Sequence, residues 1–276
     1  MSLAQLTGFA REIRISTLKS LLHLGFGHFG GCMSVVETLA VLYGQVMRID
    51  PRDPQWPGRD YFVLSKGHAG PALYSALALK GYFPPAMLNT LNQNGTRLPS
   101  HPDRLLTPGV DATTGSLGQG VSIAGGLALA HKLAGRANRV FCITGDGELN
   151  EGQCWEAFQF IAHHRLNNLL LFVDWNKQQL DGATEQIIRP FSLAEKFAAF
   201  GFEATTVKGD DIAGILALAS PRQEGEDRPR VVILDTVKGQ GVPWLEQLSN
   251  SHHLRLDGQM KQCLMASIEQ LEAHHD

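Results

Sequence analysis

Hydrophobic positions along the chain change their period several times, and each change marks an element. Leu3, Leu6, Phe9, Ile13, Leu18, Leu21 and Leu22 fall at helical spacing and predict an amphipathic helix over 3–24. G-F-G-H-F-G-G at 25–31 breaks it, and Ser34 is expected to cap a second helix reaching about Tyr43. A Pro-rich turn at 51–57 leads to a short strand, Tyr61–Leu64, followed by a helix over about 71–79. Residues 92–114, with Pro99, Pro102 and Pro108 spaced through them, predict a long extended loop of the kind that carries function or stays disordered. Helices are then expected at 121–134, 152–164, 192–200 and 211–219, alternating with strands at 139–143, 168–174, 202–207 and 230–236. The polar stretch 221–229 is expected to be the most mobile loop, and His274-His275 a frayed tail.

Strands that are apolar almost throughout, alternating with helices, define an α/β fold: a parallel sheet flanked by helices on both faces. The expectation is one domain over 1–276, with the N-terminal helical segment packed onto it. Ligands bind such sheets beyond the carboxyl ends of the strands.

That rule draws attention to V-F-C-I-T-G-D-G-E-L-N-E-G at 140–152, where a buried strand stops at Gly145-Asp146-Gly147 and Glu148 and Glu151 follow. Asp-Gly is a common turn pair, so Asp146 alone decides nothing. The next strand ends at Asn176, thirty residues on, about one strand–helix–strand unit. A right-handed crossover would bring Asp146 and Asn176 to the same sheet edge. A carboxylate and an amide oxygen are hard donors suited to Mg²⁺ or Ca²⁺, and Mg²⁺ is commonly completed by water and phosphate. The flanking glycines let backbone approach a ligand closely, and a following helix N-terminus can face an anion.

Composition narrows the classes. Hydrophobic residues make up 43% and charged residues 18%, which suits a globular core. With 24 Lys plus Arg against 27 Asp plus Glu, no basic excess points to nucleic acid. The apolar run around 166–173 is too short to span a membrane, and the first residues lack a secretory pattern, so a cytoplasmic location is expected. Cys32, Cys142, Cys154 and Cys263 form no C-x-x-C pair, which fits a reducing compartment. Doublets such as His163-His164 are poor chelators on a regular element, so no histidine metal site is expected.

Taken whole, G-D-G-E-L-N-E-G…D-W-N-K-Q-Q-L-D-G resembles the thiamine diphosphate motif of transketolases. The resemblance implies a thiamine-diphosphate-binding fold in which Asp146, Asn176 and the Gln178 backbone hold Mg²⁺ (or Ca²⁺ or Mn²⁺). Gly145, Gly147 and Glu148 would flank the cofactor. G-H-F-G-G at 27–31, L-S-K-G-H-A at 64–69, S-H-P-D at 100–103, T-T-G-S-L-G-Q-G at 113–120 and T-V-K-G-Q-G-V-P at 236–243 also resemble family segments, in the family's order. They imply that Gly115, Ser116 and Leu117 cover the cofactor and that His68 lies beside it. His68 and His101 would bind the reacting two-carbon unit or the cofactor's phosphate end, while His28 and His252 line the sugar channel. Glu151 matches an acidic residue that the family uses across its subunit interface. N-S-H-H departs from the usual Trp-His pair, leaving His252 and His253 as alternatives for the last position.

A full transketolase resembles this chain only over its first domain. The resemblance therefore implies the N-terminal subunit of a split transketolase, inactive alone. Its partner would be a C-terminal subunit with the pyrimidine-binding domain, in an α₂β₂ assembly that works on sugar phosphates. Three other readings keep parts of this picture: the α-chain of a 2-oxo-acid enzyme, an enzyme for an unusual catabolic sugar, and a non-catalytic cofactor-binding protein. A nicotinamide dehydrogenase is disfavoured because G-S-L-G-Q-G at 115–120 lacks the G-x-G-x-x-G order.

Overall fold

The computed structural model describes residues 1–221 and 225–273. The first helix, Leu3–Leu24, starts with a capping box: Gln5 N donates to the Ser2 hydroxyl while the Gln5 side chain accepts from Ser2 N. Gly25, in the left-handed region at φ 84°, ends it. Among the described residues nine strands follow: β1 (Phe26–Gly27), β2 (Tyr61–Leu64), β3 (Val140–Gly145), β4 (Leu169–Trp175), β5 (Gln178–Gln179), β6 (Gly182–Ala183), β7 (Glu203–Lys208), β8 (Arg230–Asp235) and β9 (Leu254–Arg255). Five of them build a wholly parallel sheet in the order β2-β3-β4-β8-β7.

Side-chain alternation splits each strand between two cores. Phe62, Leu64, Phe141, Ile143, Phe172 and Leu234 face one way, toward apolar residues of helices Leu3–Leu24, Val36–Val41, Gly70–Lys80 and Ile212–Ala219. Val63, Cys142, Leu171, Val173, Val231 and Ile233 face the other, toward helices Gln119–Leu133, Gly152–His163 and Leu193–Ala199. Both faces are buried, which is why the strands read as continuous apolar runs and not as alternating ones.

The expected elements are present within a few residues of their sequence boundaries, except after Gly31, and short elements such as β1, β5, β6 and β9 are added to them. Ser34 caps no second helix: it follows the short helix Gly30–Met33, and its hydroxyl donates inward to Asp174 at 2.7 Å. The segment after it is Val36–Val41, continued by a wider π turn at Leu42–Val46. A further helix, Gly258–Ala273, packs Leu264 and Ile268 on the first core. Its start is marked by Asp257, whose carboxylate accepts from Met260 N. Of the loop expected at 221–229, residues 222–224 lie outside the described residues, as do His274 and His275.

The carboxyl ends of β2, β3, β4 and β8 lie side by side. The register pairs Leu64 with Ile143, Gly145 with Asp174, and Trp175 with Asp235. The segments 65–68, 146–148, 176–178 and 236–238 therefore leave the sheet along one edge.

Candidate cofactor site

Along that edge lies a cavity of about 250 Å³. Its floor is the pair picked out in the sequence. Asp146 is buried and accepts two backbone hydrogen bonds, from Gly147 N at 2.8 Å and from Lys177 N at 2.7 Å. The second bond ties Asp146 to the residue that follows Asn176, so the two side chains come from adjacent strands and line the same cavity. Lys177 adopts φ 64°, a left-handed turn that a lysine adopts at a cost. Its ammonium is clamped on Asp235 and on the Thr236 carbonyl. The Asn176 amide donates to Asp174 at 2.9 Å, and its oxygen accepts from Gln178 N at 3.1 Å.

Glu148 ties the surrounding loops together. One oxygen accepts from Ser65 Oγ at 2.6 Å and Gly118 N at 2.7 Å, the other from Thr144 Oγ1 at 2.8 Å and Gly145 N at 3.1 Å. Four donors saturate a carboxylate that is almost wholly buried. The loops are correspondingly close: a Cβ on Gly67 would stand 2.8 Å from Gly115 N. Gly115 and Leu117 line the cavity, whereas Ser116 does not.

The four histidines converge. His28 has ring centroids 5.3 Å from His68, 5.9 Å from His101 and 5.2 Å from His252, and all four line the cavity. Between the two sequence alternatives, His252 faces inward and His253 packs on the outer side of His28 at 4.9 Å. Pairing of β1 with β9 brings the segments together, with Gly27 opposite Leu254. Burial, then the charges of His253, His101 and Lys238, push His28 down to about 4. Burial, then Lys238, push His252 down to about 3. Burial also lowers His68 and His101. At neutral pH such rings are uncharged, each with one donor and one acceptor nitrogen.

Glu151 stands apart: it is exposed, begins the helix Gly152–His163 without a side-chain cap, and does not line the cavity. Two functional groups are missed by sequence reasoning. Lys238 extends its ammonium to the Gln178 and Gln179 carbonyls at 3.3 and 3.4 Å and to His252 Nδ1 at 3.0 Å. Burial, then the charge of Lys66, lower it to about 8. Lys66 is almost fully buried and pairs with Asp174 at 2.5 Å. Sequence alone gives weak signals for both, since a lysine in a glycine-rich loop defaults to solvent.

The donor chemistry fits a hard divalent cation. Burial, then the neighbouring Asp174, push Asp146 up to about 7, so an ionised Asp146 is short of a counter-charge. Asn176 lines the cavity and its oxygen accepts from Gln178 N, while the Gln178 carbonyl accepts from Lys238. A cation at these oxygens would supply the charge that Asp146 lacks.

Comparison with known proteins supplies the family. Residues 7–263 match the family described as transketolase, thiamine diphosphate binding domain. The chain is 46% identical over 260 residues to the 6-deoxy-6-sulfo-D-fructose transketolase subunit SqwG of Clostridium sp. (strain MSTE9), covering 94% of each chain. It is 41% identical over 228 residues to an apulose-4-phosphate transketolase subunit from Actinobacillus succinogenes, covering 82% of each. Transketolase from Campylobacter jejuni superposes with a TM-score of 0.89 at 29% identity, over 99% of this chain and 43% of that one. Fold and site together define a thiamine diphosphate-binding α/β domain. The chain belongs to the transketolase family.

Proposed function

We propose that this chain is the cofactor-anchoring subunit of a two-chain transketolase, moving a two-carbon ketol unit from a ketose to an aldose. The observation that carries the reading is the 2.7 Å bond from Lys177 N to Asp146, which joins two strand ends at one cavity shared with four histidines. Asp146, Asn176 and the Gln178 carbonyl would hold Mg²⁺, with Ca²⁺ and Mn²⁺ as substitutes. Gly145, Gly147 and Gly115 let backbone close on the diphosphate, and Lys238 offers it a cation. When bound, thiamine diphosphate supplies the nucleophilic, carbanion-stabilising carbon that ketol transfer needs.

The histidines perform the remaining chemistry. Held neutral, His28, His68, His101 and His252 can donate to one sugar hydroxyl oxygen while accepting a proton from another. Binding and orienting a polyol needs this mixture, which four imidazolium ions would not provide.

Leu180, Ile187, Ile188 and Phe191 are exposed by 58, 42, 58 and 69%, and Leu180 also lines the cavity. So much apolar surface beside a site supports a second subunit seated there. Glu151 would lie at a subunit interface, and residues 1–276 would act as one domain of a cytoplasmic α₂β₂ enzyme. The similarity to subunits named for a sulfonated fructose and for apulose 4-phosphate favours a donor ketose whose far end is anionic and uncommon.

The test is reconstitution with the polypeptide that co-purifies with this chain. Ketose phosphates, a sulfonated ketose and 2-oxo acids would be offered with and without Mg²⁺ and thiamine diphosphate. Ketol transfer dependent on both, and abolished by Asp146→Ala, is expected. Turnover of 2-oxo acids alone, or full activity of Asp146→Ala, would overturn the assignment.

A further inference from the structure

An asparagine amide has two ends of nearly the same shape, and only the oxygen can ligate a cation. One weak influence is the backbone of Gln178, whose N–H donates to the oxygen end at 3.1 Å. Asp174, two residues earlier on β4, fixes the amide from its other end. Its side chain is fully buried. Oδ2 accepts from Asn176 Nδ2 at 2.9 Å, from Ser34 Oγ at 2.7 Å and from Lys66 Nζ at 2.5 Å. Oδ1 accepts from Thr236 Oγ1 at 2.5 Å. An ionised carboxylate only accepts, so the end of Asn176 that meets it must be the NH₂ group. The oxygen is then left on the side of Gln178 N, in a residue that lines the cavity.

We propose that Asp174 is the positioning residue that turns the Asn176 amide oxygen toward the cation site, and that Lys66 keeps Asp174 an acceptor inside the core. Lys66 is itself fixed by donating to the Gly31 carbonyl at 2.9 Å. Three further segments, carrying Ser34, Lys66 and Thr236, thus converge on the one group that sets a ligand's orientation. Ligands to metals are commonly oriented by such outer partners. The inference rests on the proposed role of Asn176 as a metal ligand.

Two variants separate orientation from stability. Asp174→Asn keeps an oxygen acceptor, because Lys66 can only donate and so forces the new amide to present its oxygen. It nevertheless leaves Lys66 buried without a counter-charge, and should melt well below wild type. Lys66→Met combined with Asp174→Leu removes the buried charges together and leaves Asn176 no acceptor. That double variant strands the Ser34 and Thr236 hydroxyls and should also melt below wild type, so the two variants are told apart by the orientation of Asn176 and not by melting.

The first readout is hydrogen exchange of the Asn176 side-chain NH₂ protons by NMR on the full chain. The second is Mn²⁺ binding in the presence of thiamine diphosphate, followed by electron paramagnetic resonance. Asp174→Asn is expected to keep the Asn176 protons protected and Mn²⁺ affinity near wild type. The double variant is expected to lose the protection and weaken Mn²⁺ about 10–100-fold. A double variant with protected Asn176 protons or with wild-type Mn²⁺ affinity would overturn the proposal. So would an Asp174→Asn chain that loses both as completely as the double variant. If wild type binds no Mn²⁺ with the cofactor present, the cation assignment itself fails, and the exchange data alone decide whether Asp174 positions Asn176.

Discussion

Replacing Asp146 by asparagine tests the electrostatics of the site without any substrate. Burial, then the Asp174 charge, raise Asp146 from 3.8 to about 7. A carboxyl whose folded value lies above its unfolded value favours folding fully only at low pH. As pH climbs from about 4 to about 7 the unfolded chain ionises while the folded chain keeps its proton, so stability falls across that window and then levels off. At about 1.4 kcal/mol per unit, the loss is on the order of 4 kcal/mol by pH 8. The substituted amide cannot ionise, but its NH₂ would confront either Gly147 N or Lys177 N, returning about 1–3 kcal/mol. The net expectation for Asp146→Asn is a chain more stable than wild type by about 1–3 kcal/mol at pH 8, a rise of several degrees in melting temperature. Calorimetry in a chelating buffer at pH 4.5 and pH 8 measures it. Adding Mg²⁺ and thiamine diphosphate at pH 8 should reverse the order, because wild type gains from ligand binding and the variant does not. Parallel pH dependences of the two metal-free chains would refute the reasoning.

Three further outcomes follow from the same geometry. Lys238→Met removes a lysine lowered to about 8 mainly by burial, whose charging in the folded state disfavours folding below that pH. Metal-free melting at pH 7 should rise, while thiamine diphosphate affinity, read by calorimetry, should fall about tenfold or more. Gly67→Ala drives a Cβ to within 2.8 Å of the Gly115 backbone nitrogen and should lower stability by about 1–3 kcal/mol in urea unfolding, with weaker cofactor binding from the displaced loop. Phe158→Ala empties a fully buried position outside the cavity lining and should cost about 3–5 kcal/mol, leaving the cofactor affinity of the folded fraction unchanged in the same titration.

The sheet was legible in the sequence because β3, β4 and β8 are apolar on both faces and stop at turn residues, so their ends are marked twice. Asp146 was legible for the same reason: a carboxylate directly after a buried strand, between two glycines, has few explanations. Asn176 became legible through its distance from Asp146. Lys66 and Asp174 were not, although both stand inside quoted motifs, because each has a polar default that only the partner across the fold removes. Ser34 looked like a helix cap since serine serves that purpose locally. Its actual partner lies 140 positions away on β4, and local spacing carries no trace of such a bond. The choice between His252 and His253 depended on β9, a two-residue strand too short to show periodicity.

That two-residue strand has a consequence for how the molecule is made. β1 and β9 stand at opposite ends of the chain, and their pairing places His28 against His252. During synthesis, the junction of Asp146 with Lys177 N is encoded well before residue 254 is added, whereas the seating of His252 awaits the final stretch. A ribosome-bound fragment or a copy nicked just ahead of β9 would thus keep the edge that carries Asp146 and Asn176, with His28, His68 and His101 on it, yet leave His252 without the strand pairing that seats it against His28.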